Sequence, residues 1–304
     1  MAGLAFATIW SLSFVFTKSA LTSIAPLWLA AFRLQIAGGI LLLLQGVPII
    51  RFLYGNISFS NLLRVIASGV LSQAVYLSAS YWALVHLPSS IINIVVSSLP
   101  LVTLPLSYLL LNERIGTSGI IAFMLSIVGV MISLDFGFLA GGAGRHYDAL
   151  AIVLLLASVL ALATGNVLVK PVITHFTFIP FYALQFIAGS VAATIAALVF
   201  EPTAAPSLDV IIGITPQLAF LAIIGSILGM FLWFRVLSAM SANAASSFFL
   251  LTPVTGILFG ALAFGESITI SKIAGILVIS FAIILRLKGI LFFVRSAHLV
   301  NRSD

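Results

Sequence analysis

The stretch LPLVTLPLSYLLLNER at 99–114 has a counterpart in TPVTGILFGALAFGES at 252–267. In each, a proline (Pro100 or Pro253) is followed by twelve mostly apolar residues and then by a glutamate, Glu113 or Glu266. The prolines stand 153 residues apart in a chain of 304, and so do the glutamates, so one pattern is written twice. Working outward, a lysine closes the opening apolar run of each half, Lys18 and Lys170, at an offset of 152. The connections after the second run of each half, about 47–61 and 200–217, are similarly long.

The doubled pattern lies on an apolar background. Hydrophobic residues make up 62% of the chain and charged ones 7%, against about 25% charged in a soluble domain. A soluble protein needs a mixed, charged surface and lipid-facing surface does not. Runs long enough to cross the hydrocarbon core, which takes about 20 apolar residues, are predicted at 2–21, 27–46, 62–84, 91–111, 116–135, 149–169, 178–199, 216–236, 243–264 and 269–287. The expected fold class is an all-α polytopic membrane protein of about ten helices, arranged as two five-helix repeats. Five is odd, so the second repeat enters the membrane from the opposite side, and inverted repeats of this kind mark alternating-access carriers. The expected division is 1–140, 141–288 and a short basic cytoplasmic tail, 289–304. The Gly-rich stretch Phe136 to Gly144 reads as the linker between halves.

Charge sets the orientation. With the N-terminus inside, nine basic residues (Arg51, Arg64, Arg114, Lys170, Arg235, Arg286, Lys288, Arg295 and Arg302) fall on the cytoplasmic side. Three, Lys18, Arg145 and Lys272, fall outside, and Arg33 lies within helix 2. Cytoplasmic loops carry the excess of Lys and Arg, so both termini are expected in the cytoplasm of a multi-pass protein of a prokaryotic inner membrane. The basic balance therefore does not point to nucleic acid. With no cysteine, disulfides and thiolate metal sites are excluded. No basic n-region precedes the first apolar run, so a cleaved signal peptide is not expected; a missing cytoplasmic leader stays open.

Trp10 in helix 1, Pro26 with Arg33 in helix 2, and the two Pro–Glu segments resemble the drug/metabolite transporter superfamily, in its ten-helix EamA-type branch. The resemblance runs over about residues 4–287. It implies a basket of ten helices around a central cavity, and export of amino acids or related metabolites. The second half departs from the first in having Gln185 where an Arg equivalent to Arg33 would stand.

Buried polar and aromatic groups are the expected site. Trp10, Phe14, Arg33, Tyr76, Asn93, Asn166, Trp233 and Asn243 are the substrate-binding candidates, because an amide or charge inside lipid-facing helices must find a partner or a cavity. Arg33 is also placed to snorkel to the outer headgroups, and Tyr81 and Trp82 to belong to an interfacial belt. Pro100 and Pro253 are expected hinges, because a proline within a helix frees a carbonyl. Glu113 and Glu266 are expected structural groups that favour the N-terminus of the next helix. None of the seven acids falls mid-membrane, so no central carboxylate relay is expected. His86, His146, His175 and His298 are scattered, so no catalytic residue, metal or cofactor is predicted. The partners expected are a small-molecule solute and the lipid bilayer; the oligomeric state is open. The alternatives are an exchanger of phosphorylated or anionic metabolites and a membrane-embedded lipid-modifying enzyme.

Overall fold

The computed structural model describes residues 1–55, 58–113, 116–133, 148–203, 205–266, 268–271, 273–282 and 284–285. Ten main helical runs carry the chain through them. These are α1 (Ala2–Ala20), α2 (Pro26–Gly55), α3 (Phe59–His86), α4 (Ser89–Leu111), α5 (Thr117–Ser133) and α6 (Ala149–Val169). They are followed by α7 (Phe178–Phe200), α8 (Thr215–Ala239), α9 (Ala242–Phe264) and α10 (Ile273–Ala282). Seven of the described helices are long and apolar enough to span a bilayer. Large apolar side chains such as Leu43, Leu262 and Ile270 stand exposed around the outside, while Arg33, Gln73, Gln185 and Asn166 are buried. Polar groups inside and apolar ones outside is the arrangement lipid demands, and the protein is a multi-pass membrane protein.

Three expectations change. Helix α2 continues nine residues past the predicted end of its span, to Gly55, which shortens the loop expected at 47–61. A hydrocarbon-length criterion ends a span and not a helix, because the backbone keeps its ladder in the headgroup region. The loop expected at 200–217 holds a short helix, Leu208–Gly213, capped by the Ser207 hydroxyl. The prolines, read as interruptions within helices, instead open new helical segments. Helix α4 breaks at Ser97–Ser98 and restarts at Leu99, and α9 tightens over Ser247–Leu251 before Thr252. Pro100 and Pro253 sit in the first turn of the restarted segment, where a missing N–H costs nothing. Pro105, not singled out from the sequence, stands inside the restarted segment of α4. The linker Phe136 to Gly144, the tail 289–304, His146 and His298 lie outside the described residues.

Other features recur in both halves. Helices α3 and α8 both widen into a π-helical segment, at Val70–Val75 and Phe220–Leu228. Helix α4 ends on Asn112 and α9 on Gly265, both left-handed, with φ of 53° and 63°. Glycine takes that conformation freely and asparagine is among the few other residues that tolerate it. The next N–H folds back in both cases, Glu113 to Ser107 O and Glu266 to Gly260 O, 3.2 and 3.3 Å.

Packing crosses between the halves. Helix α1 lies against α8 and α9, and α6 lies against α3 and α4; α3 with α6 and α2 with α7 form the two most extensive pairs. In lipid such association rests on close packing, not on hydrophobic exclusion. Small residues make it possible: a Cβ at Gly69 would stand 2.6 Å from the Gln185 carbonyl oxygen of α7. The interface between the halves is therefore the core of the molecule.

Candidate functional site

Two adjoining cavities share Trp10 as a wall; the larger lies between the halves and the smaller is lined by the first half. The larger is narrow, about 10 Å³ or room for about one water, among Phe6, Ser72, Gln73, Asn166, Tyr182, Gln185, Trp233 and Phe249. The smaller, also of about 10 Å³, is lined by Ser13, Phe14, Thr17, Arg33, Tyr76 and Tyr81. The π-segment of α3 supplies Ser72 and Gln73 to the larger cavity, and that of α8 places Ser226 against Arg33. An extra residue per turn turns polar side chains inward where a regular helix would not, and such bulges recur at functional sites.

An aromatic box forms the meeting point. Phe6, Trp10, Trp233 and Phe249 pack with centroids 5.0–5.2 Å apart, and Tyr76 stacks on Trp10 at 5.5 Å. The Trp233 indole N–H donates to Asn166 Oδ1 at 3.3 Å. Several buried polar atoms lack a well-formed hydrogen bond: Thr17 Oγ1 in the smaller cavity, Asn166 Nδ2 in the larger, and Trp10 Nε1 and Tyr76 Oη, which have at most each other. Unpaired buried groups of this kind are costly, about 1–3 kcal/mol each, and call for an explanation.

Arg33 turns inward. It is 4% exposed, so the long side chain does not reach the headgroups. Its Nε donates to Ser226 Oγ at 2.8 Å, and Nη1 donates to the Tyr81 hydroxyl. Both partners are neutral, and among the described residues Arg33 forms no ion pair.

The candidates therefore fall into two sets. Trp10, Phe14, Arg33, Tyr76, Asn166 and Trp233 line the paired cavities. Asn93 and Asn243 do not. Asn93 packs against Gly256, where a Cβ would come within 2.4 Å of its amide carbon, and donates to Ser89 O. Asn243 borders a separate small space with Pro100 and Ser247. Tyr81, read as a belt residue, is buried on Arg33, 48 positions away, with no local pattern to announce it. Gln185 follows Arg33 by 152 residues and donates to Ser68 Oγ at 3.0 Å. The repeat offset points to that residue.

Beyond the cavities, the two glutamates close opposite ends of the bundle by reaching across it. Glu113 accepts from the N–H groups of Ala242 and Asn243 at 2.8 and 3.2 Å, at the start of α9. Glu266 accepts from Ser89 and Ser90 N–H at 3.0 and 3.2 Å, at the start of α4. Ser89 and Ala242, like Ser90 and Asn243, are 153 residues apart, so each half's glutamate caps the matching helix of the other half. The capped helix is the other half's fourth, not the next in sequence as expected. A helix start leaves N–H groups unpaired and carries partial positive charge, which a carboxylate satisfies.

The lysines differ. Lys18 Nζ pairs with Glu266 at 3.4 Å, and the Ser89 hydroxyl donates to the same oxygen at 2.7 Å. Lys170 Nζ instead donates to Leu237 O at 2.6 Å. Burial works to raise the Glu266 carboxyl's pKa, but the Ser90 and Ser89 bonds and the Lys18 charge outweigh it, holding it below the usual carboxylate range. Burial lowers the Lys170 ammonium's, with only partial relief from Glu113. A third carboxylate, Glu201, caps α2 through Leu27 and Trp28 N–H. Burial raises its pKa despite those bonds. His86 faces Asp148 at 3.8 Å.

Relatives with this architecture span nearly the whole chain. An "Uncharacterized transporter" of Archaeoglobus fulgidus is 25% identical, covering 88% of this chain and 91% of its own. "Protein PecM" of Dickeya dadantii is 28% identical, with 91% and 88% covered. A "Probable amino-acid metabolite efflux pump" of Escherichia coli K12 is 23% identical, with 93% and 92% covered. A solved crystal structure 17% identical superposes with a TM-score of 0.69 over 93% of this chain and 94% of that one, which shows a common fold. Residues 1–134 and 149–287 each match the EamA-like transporter family, one match per five-helix half, and the chain belongs to that family.

Proposed function

We propose that this transporter carries a small organic solute, of the amino-acid or related-metabolite class, out of the cell by alternating access around the paired cavities. The carrying observation is the crossed pair of caps at opposite ends of a buried, partly unsatisfied polar chamber. Glu266 releases α4 when the outer end opens, and Glu113 releases α9 when the inner end opens. Each freed helix start and carboxylate is then taken up by water, so opening exchanges bonds and does not lose them. In this reading the halves 1–140 and 141–288 are inverted repeats, and their crossed packing makes closure at one end favour release at the other. The restarted segments at Pro100 and Pro253 are the places where α4 and α9 bend. Trp10, Phe14, Arg33, Tyr76, Asn166 and Trp233 contact the solute.

Two relatives bearing the words "amino-acid metabolite efflux pump" support the substrate class. Membership in a transporter family sets aside the lipid-modifying enzyme. No described carboxylate lines the cavities, so flux is expected to follow the solute gradient without a central proton relay.

The test is counterflow in proteoliposomes loaded with an amino-acid panel. Saturable counterflow that Trp10→Ala or Asn166→Ala weakens by about tenfold, a loss of the order expected for a buried contact, is the expected result. The chain has no cysteine, so Leu162→Cys, in the larger cavity, reports access. It is expected to react with impermeant thiol reagent from either face during turnover. Reaction from one face alone would overturn alternating access.

A further inference from the structure

We infer that the smaller cavity recognises one negative charge, that of a carboxylate, and that the solute's apolar body lies in the aromatic box beyond Trp10. This rests on the transport reading above.

The first observation is Arg33. A guanidinium presents five donors, in a fork suited to a carboxylate. Here it is 96% buried, two of its N–H groups go to neutral hydroxyls, and no described acid neutralises it. A buried charge without a counter-charge is strongly disfavoured, so an anion brought to Arg33 would be favoured there. The second observation is independent. Trp10, Tyr76 and Thr17 line the same narrow space; Thr17 Oγ1 is buried without a partner, and Trp10 Nε1 and Tyr76 Oη have at most each other. An indole N–H and two hydroxyls beside a guanidinium form a donor-rich cluster suited to an oxyanion.

Charge arithmetic selects among anions. A phosphate monoester carries about 1.5 to 2 negative charges at neutral pH, and the described cavity walls hold a single cation. Lys18 is engaged with Glu266 and Lys170 with Leu237 O, and neither lines a cavity. A monoanion is neutralised by Arg33; a dianion leaves charge unpaired among buried side chains. Phe6, Trp10, Trp233 and Phe249 then offer ring faces to an apolar body or, through their quadrupoles, to the ammonium of a zwitterion.

The test uses one apolar body with four head groups: 3-phenylpropionate, 3-phenylpropionamide, L-phenylalanine and 2-phenylethyl phosphate. Binding to the purified protein is read by Trp fluorescence and thermal shift, and flux in proteoliposomes. The carboxylate-bearing members are expected to bind at least about tenfold more tightly than the amide or the phosphate, the scale of a charge-assisted bond. Arg33→Gln removes that preference and Arg33→Lys keeps part of it. Should both variants fail to fold, Tyr76→Phe is expected to weaken the carboxylates alone, by about fivefold, as for one lost hydrogen bond. Equal binding of amide and carboxylate, tighter binding of the phosphate, or an undiminished preference in Arg33→Gln overturns the inference. Saturable flux of the amide in those cases would leave the transport reading standing. Failure of every member to bind or move counts against both.

Discussion

The two ends of the bundle are built from the same parts and finished differently. At each, a glutamate after a left-handed turn caps the fourth helix of the opposite half, and a lysine from the first helix of a half stands nearby. At the Glu266 end the lysine joins in, so one carboxylate takes Ser89 N–H, the Ser89 hydroxyl, Ser90 N–H and Lys18. At the Glu113 end the carboxylate takes two backbone N–H groups and Lys170 turns to a carbonyl. Ala242 stands where Ser89 stands in the first half, so a hydroxyl donor is missing too. Pseudo-symmetry here fixes backbone roles, and side-chain choice sets how firmly each end is held.

The comparison assumes that the ends lie on opposite faces, which has an all-or-none consequence. Thr203 and Thr174 are exposed at opposite ends of α7. Thr203→Cys is expected to label on intact cells and Thr174→Cys only after permeabilisation. Labelling of both from one side would place the two caps on one face and end the comparison.

The next effect is on stability. Glu266→Ala strands two N–H groups, a hydroxyl and an ammonium, and is expected to lower stability by about 2–3 kcal/mol; Glu113→Ala strands two N–H groups, for about 1–2 kcal/mol. Thermal unfolding in detergent measures both. A larger loss in Glu113→Ala would reverse the ranking of the ends.

Smaller effects separate the lysines. Lys18→Met is expected to cost about 0.5–1 kcal/mol, since the pair is partly exposed and screened. Lys170→Met is expected to lie within about 0.5 kcal/mol of wild type, because losing a bond to Leu237 O offsets removal of a charge that burial disfavours. A marked loss in Lys170→Met would mean that its attraction to Glu113 matters more than the geometry indicates.

The subtlest effect is in pH. The Glu266 carboxyl sits below its ordinary range when folded. Its stabilisation is therefore complete above that range and is lost as pH falls through the lower folded value. The unfolding midpoints of wild type and Glu266→Gln are expected to differ at pH 7 and to converge in acid. A gap that holds constant down to pH 3 would remove the carboxylate's charge from the account.

Much of this was legible in the chain itself. Low charge and ten apolar runs fix a membrane bundle, because lipid tolerates neither free backbone groups nor unpaired charge. The 153-residue echo from Pro100 to Glu113 and from Pro253 to Glu266 marks the two halves, and the Lys18 and Lys170 offset marks the ends. Trp10, Arg33, Tyr76, Asn166 and Trp233 stand out as polar or aromatic groups in helices. What the sequence could not decide is which of these meet. Asn93 and Asn243 have the same chemistry as Asn166, yet they fall on the α4 and α9 crossings. Tyr81 and Ser226 join Arg33 from helices far away in sequence. Helix facing is a matter of 100° per residue, and one extra residue in a π-segment swings a side chain from lipid to cavity. Likewise composition places Glu113 and Glu266 at helix ends, but only the crossed packing of the halves decides that each caps the other's helix. Local hydropathy selects the solvent for each helix; the partner of each inward side chain is set by close packing between segments that the chain brings together last.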